Sequence, residues 1–378
     1  MIYQFNIPTT IRFGCGAIRE LPTYLLAHKL LKPLLVTDSL IEQLDFFKDI
    51  VDSLASMGLE PEVYSDIHKN PVKSDVYKGT EIWDDTQRDC IIGIGGGAAL
   101  DVARGIALRV NHREDLFKYD DLIGGDIYVT GDVPPFITVP TTAGTGSEVG
   151  RSAIIADDET HRKRILFSPK LMAKIVFADP LLTMGLPAPI TAATGMDALT
   201  HNMEAFLAKN PNPICDGIAL EGMRLIGKSL EKAVVAPNEQ VRSDMLVASM
   251  MGAIAFQKGL GVVHSLAHPL SSLLDIHHGL ANAINIPYGM AFNIAGNEEK
   301  FRRIARTLEL QEESGEAVVH YLFDLNARIG IPKKLSDIGV KSEHIETLAD
   351  LAIADFAHPN NPKPVSREDF KQLYEEAL

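Results

Sequence analysis

Short apolar runs alternate with longer amphipathic stretches over the first half of the chain. Residues 34–37, 90–94 and 136–139 are such runs, each bounded by polar residues, glycine or proline. Continuous apolar runs of this length are typical of strands buried on both faces. Residues 40–57 have helical periodicity between two of them. Strands alternating with helices predict a parallel, doubly wound sheet.

The pattern changes after Asp179-Pro180, where apolar residues recur at helical spacing and strand-like runs almost disappear. Helices are predicted over residues 190–207, 214–233, 239–256, 298–307 and 314–329. We therefore predict two domains: a dinucleotide-binding α/β domain over 1–183 and an all-helical metal-binding and substrate domain over 184–378. The 378 residues suffice for two cores.

Charge and composition exclude some partners. The formal net charge is −14, which repels the phosphate backbone of nucleic acids. The N-terminal residues lack the features of a signal peptide, and the most apolar window, 245–256, is too short to span a bilayer. Cys15, Cys90 and Cys215 have no CxxC spacing. A reduced, cytoplasmic setting without a membrane partner is expected.

A glycine-rich turn, GIGGGA at residues 93–98, follows one predicted strand and precedes a helix. It fits the G-x-G-x-x-A pattern in which backbone amides at a helix N-terminus bind a pyrophosphate. Tight packing alone also explains such a turn. Asp38, directly after another strand, is suited to ribose hydroxyls and would favour NAD over NADP, but capping the next helix accounts for it equally well.

A second polar cluster, PTTAGTGSE, occupies residues 140–148 after the third strand. Its hydroxyl groups and glycines suit contacts to a phosphate or to the nicotinamide amide. The alternative is an ordinary polar turn at a helix start. The density of Thr, Ser and Gly exceeds what one helix cap requires, which favours cofactor binding.

Histidines and one aspartate recur at helical spacing in the second half. Asp197 and His201 are four residues apart and share a helix face. The other members of this constellation are His264, His268, His277 and His278. Imidazoles in apolar sequence need partners, and so many of them indicate a divalent metal, with iron(II), zinc and other first-row metals left open. A metal beside a nucleotide site indicates hydride transfer.

Six stretches together resemble the iron-containing (group III) alcohol dehydrogenase family: GIGGGAALDVARG, PTTAGTGSEV, GMDALTHNMEAF, GLGVVHSLAHPL, HHGLANA and NPKPV. The resemblance covers nearly the whole chain, in the family's order and spacing. It implies a Rossmann-like N-terminal domain, a helical C-terminal domain, an active site in the cleft between them, and a homodimer. The implied activity is the interconversion of alcohols and aldehydes.

The same resemblance implies roles for individual residues. The implied metal ligands are Asp197, His201, His264 and His278, holding Fe2+, with Zn2+ or another divalent metal as alternatives. His278 is thereby part of the catalytic centre, and His268 is the candidate proton relay, with core packing as its alternative. The residues implied to contact NAD are Asp38, Asn70, Gly96, Gly97, Ala98, Asp101, Thr141, Thr142, Thr145 and Lys163. A surface position is the alternative for Lys163.

Departures from the family pattern mark positions where this chain differs. Ala98 stands where relatives have Ser, Arg104 replaces a Lys, and Ala357 replaces a Cys. The segment AFQKGLG stands where relatives read AFSNAGLG. We hypothesise that Lys258 in this segment pairs with an anionic substrate tail, such as a semialdehyde carboxylate. Its alternative is a solvated lysine at a helix C-terminus.

Three other functions compete with this one. A glycerol-type polyol dehydrogenase and a 3-dehydroquinate synthase share the two-domain plan but are expected to use three protein ligands for the metal. The synthase also needs a basic cluster for a phosphate substrate, which we do not find. A nucleotide- or metal-binding regulatory module is the non-enzyme alternative, and it fits poorly because both half-sites are intact.

Overall fold

A six-stranded parallel sheet forms the centre of the α/β part of the chain. The computed structural model of the protein describes residues 9–160 and 162–378. The strands are β1 (Thr10–Phe13), β2 (Pro33–Val36), β3 (Glu62–Tyr64), β4 (Cys90–Gly95), β5 (Phe136–Pro140), β6 (Ser152–Ala156), β7 (Lys163–Phe167) and β8 (Ile175–Ala178). The sheet has the order β1-β8-β5-β4-β2-β3, and β6 and β7 form a separate antiparallel hairpin.

Helices cover both faces of this sheet, which explains the continuous apolar runs. Successive residues of β2 point to opposite faces: Leu34 and Val36 join one buried cluster, and Leu35 joins the other. The helices of this unit are α1 (Leu21–Ala27), α2 (Asp45–Ser56), α3 (Lys73–Thr86) and α4 (Gly97–Asn111).

The three predicted strands are confirmed to within one residue at each end. The predicted helix over residues 40–57 is wrong in its first turn. Ile41–Gln43 is a short 3-10 turn, and Leu44 has an extended backbone (φ −77°, ψ 144°), so α2 begins only at Asp45. The apolar spacing runs through this break, so the periodicity does not show it. The apolar pattern did not predict the short strands β1, β3 and β8 or the β6–β7 hairpin.

The described residues from 186 onward are mostly helical. Residues 143–145 and 186–378 form one compact unit, and residues 9–142 and 146–185 form the other. The helices are α5 (Ala188–Leu207), α6 (Pro213–Val235), α7 (Glu239–Ala255), α8 (Val262–Leu274), α9 (His278–Asn293), α10 (Glu298–Thr307), α11 (Gly315–Arg328), α12 (Ile345–Ile353) and α13 (Arg367–Ala377). The five helices predicted from periodicity are confirmed within two residues at each end.

Helix α5 is the core of this unit and is buried on all sides from Thr191 to Leu207. Glycine lets its neighbours approach closely, since a Cβ on Gly195 would lie 2.2 Å from Leu230 Cδ1. A Cβ on Gly222 of α6 would lie 2.1 Å from Asn202 Oδ1 of α5. Chemistry carried on α5 is therefore held in a close-packed, water-poor setting.

Among the described residues, no single helix is long and apolar enough to cross a membrane. One bent pair, Glu239–Lys258 with Val262–Leu274, passes the same test only when its two halves are taken together across a bend of 107°.

Candidate metal centre and cofactor-binding segments

Four side chains from three helices converge in the helical unit. Asp197 and His201 lie one turn apart on α5, His264 is on α8, and His278 is the first residue of α9. One donor atom from each lies within 4.8 Å of the others. Asp197 Oδ1 is 4.0 Å from the Nε2 atoms of His201 and His264 and 3.5 Å from that of His278. The structure thus brings together the four residues that the sequence suggested as ligands.

A close helix contact holds His278 beside the ligands of α5. Gly279 follows His278 and lies against the backbone of α5. A Cβ at this position would lie 2.5 Å from the carbonyl oxygen of Ala193 and 3.3 Å from Asp197 Cβ. Only glycine allows α9 to begin this close to Asp197.

The charges of this cluster test whether a metal ion fits. Asp197 and Glu204 are both only 2% exposed. Among the described residues, their ionic partners are histidines and no lysine or arginine. Two buried carboxylates without a cation are costly, and a divalent ion would supply the missing charge. Burial lowers the pKa of His201 to about 4, so its ring is neutral and keeps a lone pair for a metal.

The glycine turn in the α/β unit leads from β4 into α4. Gly95 has φ +154°, and a Cβ there would lie 2.7 Å from Ala99 Cβ, so the turn requires glycine. Gly96 is the N-cap of α4, and no side chain caps this helix end. The first-turn amides, including those of Gly97 and Ala98, are donors of the kind that bind phosphate.

The polar cluster at residues 140–148, here called the threonine segment, begins beside this turn. Thr141 N donates to Gly95 O at 3.0 Å, and a Cβ on Gly96 would meet Thr142 Oγ1 at 3.2 Å. Two of the predicted cofactor segments are therefore neighbours in space. Thr145 belongs to the short stretch grouped with the helical unit.

A buried ion pair joins α4 to the end of the threonine segment and to the chain that follows it. Arg104 is fully buried and donates to Asp101 Oδ1 at 3.0 Å and to Ser147 Oγ at 2.9 Å. Asp101 also accepts from Ser147 Oγ and from Ile154 N. The Asp101 carboxylate thus links α4 to Ser147 and to the first half of the β6–β7 hairpin.

Asp38 fits both of its sequence interpretations. Its Oδ1 accepts from the amides of Leu40 and Ile41, each at 3.0 Å, and so caps the following turn. Both bonds use one oxygen, and Oδ2 makes no hydrogen bond within the described part of the chain. Capping therefore leaves a carboxylate oxygen for another partner.

Two further predicted cofactor residues are carried by adjoining segments. Asn70 precedes Pro71, whose carbonyl accepts from Ala156 N at 2.8 Å. Ala156 in turn pairs with Lys163 across the β6–β7 hairpin. Ala156 therefore links the segment that carries Asn70 to the strand that carries Lys163.

Comparison with known proteins adds to this geometry. Residues 8–180 match the family model described as iron-containing alcohol dehydrogenase, and residues 191–378 match the C-terminal model of the Fe-containing alcohol dehydrogenase family. The chain is 36% identical to 4-hydroxybutyrate dehydrogenase of Cupriavidus necator over 98% of each chain. The chain belongs to the iron-containing alcohol dehydrogenase family. It is therefore an oxidoreductase acting on alcohols or aldehydes.

Solved structures of similar proteins have the same fold. A 1,3-propanediol oxidoreductase superposes with a TM-score of 0.95 at 33% identity over the full length of both chains. A sulfoacetaldehyde reductase from Bifidobacterium kashiwanohense, solved in complex with NAD+, has a TM-score of 0.89 at 28% identity, covering 100% of this chain and 99% of that one. The parallel-sheet and helical architecture is that of the family.

Sequence reasoning missed two carboxylates that contact the histidines of this family site. Glu204 Oε2 accepts from His264 Nδ1 at 2.6 Å, and Asp355 Oδ2 accepts from His268 Nδ1 at 2.8 Å. Glu204 lies three residues after His201 on the same helix, so its spacing was a usable signal. Asp355 is 87 residues from His268 and had none.

Asn282 also escaped prediction. Its Nδ2 donates to Asp197 Oδ1 at 2.7 Å and lies 3.1 Å from His278 Nε2 and 3.4 Å from His264 Nε2. The side chain is fully buried. The amide therefore contacts three of the four candidate donor atoms and holds Asp197 in place.

The placement of Lys258 corrects the hypothesis that it binds an anionic substrate tail, and it also corrects the alternative of a solvated lysine. Its side chain is 1% exposed, and its Nζ donates to Asp216 Oδ1 at 2.5 Å and to Phe206 O at 2.9 Å. Lys300 Nζ donates to the same Phe206 carbonyl at 3.1 Å. The two ammonium groups cap the C-terminal end of α5, where cations are favourable. A buried ammonium with these partners is not available to a substrate.

Proposed function

We propose that this chain catalyses the metal-dependent, NAD(H)-linked interconversion of a primary alcohol and its aldehyde. The observation that carries this is the convergence of Asp197 and three histidines on one buried point. A four-ligand set also argues against the polyol dehydrogenase and 3-dehydroquinate synthase alternatives, which are expected to use three protein ligands.

The donor set fits a divalent metal such as Fe2+, or Zn2+ in its place. Asp197, His201, His264 and His278 would hold it. When bound, the metal supplies Lewis acidity to the substrate oxygen, and the nicotinamide takes or gives the hydride. The chain's own part is to hold the four donors close together before the ion arrives, which the close approach of α5 and α9 achieves.

NAD would bind the segments of the α/β unit and the adjoining threonine segment. The amides of Gly96, Gly97 and Ala98 would donate to the pyrophosphate at the start of α4. The free oxygen of Asp38 would accept from ribose hydroxyls and repel a 2′-phosphate, which favours NAD over NADP. The other proposed contacts are Asn70, Asp101, Thr141, Thr142, Thr145 and Lys163.

His268 would move a proton to or from the substrate hydroxyl through Nε2. Asp355 accepts from its Nδ1, and this bond leaves Nε2 as the atom with the lone pair. Ring contacts with His278 at 5.3 Å and Phe356 at 5.1 Å hold the imidazole plane. An oriented imidazole is what general acid–base chemistry at an alcohol requires.

The test is NADH oxidation under anaerobic conditions by metal-depleted protein reconstituted with Fe2+, using butanal and succinic semialdehyde. Turnover that requires the metal and is lost in Asp197→Asn would support the proposal. Bound metal and bound NADH without turnover of either aldehyde would contradict it, and would favour the 3-dehydroquinate synthase or polyol dehydrogenase alternatives. Chelator-sensitive turnover also separates an enzyme from a regulatory module.

A hydroxyacid–semialdehyde pair is a second candidate substrate. Two similar proteins are named for substrates with acidic tails, 4-hydroxybutyrate and sulfoacetaldehyde. Because Lys258 is buried against Asp216, another group would have to bind such a tail. A ratio of kcat/KM for succinic semialdehyde over butanal above about tenfold would favour this candidate.

The remaining predictions concern organisation. We propose that residues 1–183 act as the dinucleotide-binding domain and residues 184–378 as the metal and substrate domain. The homodimer and the cytoplasmic setting stay predictions. Sedimentation of the purified protein would test the dimer.

A further inference from the structure

One carboxylate contacts both a candidate ligand and the helix that carries it. Glu204 lies on α5, is 2% exposed, and points at the start of α8. Its Oε2 accepts from His264 Nδ1 at 2.6 Å. The short distance and the burial of both groups make this a strong, charge-assisted hydrogen bond.

The second oxygen of Glu204 caps α8. Oε1 accepts from Val263 N at 2.7 Å, an amide of the first helical turn that has no partner within its own helix. The N-cap residue of α8 is Gly261, which has no side chain to do this. A Cβ on Gly261 would lie 2.9 Å from Glu204 Oε1. Glycine at the cap therefore makes room for the carboxylate of another helix.

We propose that Glu204 is a positioning residue of the metal centre. By accepting from Nδ1 it keeps the proton on that atom, so that His264 presents Nε2 as the donor. By accepting from the amide of Val263, it also fixes the position of the N-terminus of α8 relative to α5. The negative charge makes the imidazole more basic and so a better ligand.

This inference rests on the proposed metal centre. Within that centre, Glu204 would strengthen metal binding without being a ligand. Two observations separate Glu204 from an ordinary buried acid. Its oxygens have no lysine or arginine partner among the described residues. It also lies on the helix that carries Asp197 and His201, seven and three residues away, so one helix holds two ligands and orients a third.

The test is Glu204→Gln, which keeps the volume and removes the charge. An amide cannot satisfy both partners of Glu204. If its oxygen accepts from Val263 N, its NH2 group faces the Nδ1–H of His264. If it is turned round, the amide of Val263 loses its acceptor. In either orientation His264 loses its anionic partner.

Metal affinity is the readout, measured by chelator competition with Zn2+ on metal-depleted full-length protein. We expect Glu204→Gln to bind Zn2+ roughly 10- to 100-fold more weakly than the wild type. Glu148→Gln is the matched control, because Glu148 is 1% exposed and is not a member of the cluster of four candidate ligands. Its affinity should equal that of the wild type. Wild-type-like affinity in Glu204→Gln would overturn the inference and leave the metal centre standing.

A second measurement uses only the wild-type protein and so does not depend on whether a variant folds. In Zn2+-loaded wild-type protein labelled with 15N-histidine, the ring resonances of His264 should show a protonated Nδ1 and a metal-bound Nε2. A metal-bound Nδ1 would overturn the inference. Failure of the wild type to bind Zn2+ at all would overturn the proposed metal centre itself, and the inference with it.

Discussion

Replacing Lys258 with Met tests whether its ammonium group is structural or contacts the substrate. Methionine preserves most of the side-chain length and removes the charge. The change would leave Asp216 without its cation and Phe206 O with one donor fewer, although Lys300 still reaches that carbonyl. The structural interpretation predicts a loss of stability with no preference between substrates.

The size of the loss follows from the burial of the pair. Removing one partner of a fully buried ion pair costs about 3–5 kcal/mol. The Lys258 side chain is 1% exposed, but that of Asp216 is 21% exposed and retains access to water. The expected loss is therefore about 2–3 kcal/mol, below the value for a fully buried pair. A Lys258→Met, Asp216→Leu double variant should recover part of it, because no stranded charge is left.

The assay combines thermal unfolding with steady-state kinetics on butanal and succinic semialdehyde. We expect a lower unfolding midpoint for Lys258→Met, partial recovery in the double variant, and the same ratio of KM values for the two aldehydes as in the wild type. An unchanged midpoint, together with a KM raised at least about tenfold for succinic semialdehyde alone, would refute this reasoning, since each 1.4 kcal/mol is a tenfold effect. Lys258 would then face the substrate after all.

Three further predictions test other parts of the structure. Gly279→Ala should destabilise the protein by about 1–3 kcal/mol and weaken Zn2+ binding, because its Cβ would meet Ala193 O at 2.5 Å; unchanged affinity in chelator competition would argue against this packing. Burial raises the pKa of Glu148 from 4.5 to about 7. The folded protein therefore has its full stability from this group below pH 4.5, where the carboxyl is neutral in both states, and loses it as pH rises through 7. Glu148→Gln should gain stability over wild type with rising pH, on the order of 3 kcal/mol by pH 8, and a pH-independent difference in denaturant midpoints would contradict this. Asp38→Asn keeps the Oδ1 cap but removes the charge, so it should raise kcat/KM for NADPH relative to NADH with little change in unfolding midpoint; an unchanged cofactor ratio would remove Asp38 from the ribose site.

Local pattern was enough for much of the fold. The strands near residues 34, 90 and 136 were predictable because both faces are buried, and an unbroken apolar run records that directly. The break at Leu44 was not, because an extended backbone at this one residue leaves the apolar spacing unchanged. β1 was missed because it lies at the sheet edge and is largely exposed.

The candidate site, like the fold, was predictable from the sequence only in part. Asp197 and His201 share a helix face because of the 3.6-residue period, which is a property of the chain itself. The family motifs supplied His264 and His278 without any knowledge of packing. The sequence by itself thus determined which donor groups are available and that they suit a divalent metal.

Only the tertiary structure decided what surrounds those donors. Glu204 meets His264 across 60 residues of chain and Asp355 meets His268 across 87. Lys258 is turned inward to Asp216 and the end of α5 rather than toward a ligand. Such contacts depend on how closely distant helices approach, which is set by shape and by glycines at the crossings. The spacing of Glu204 after His201 indicates a shared helix, but no local period of the sequence records which distant residue each of these side chains contacts.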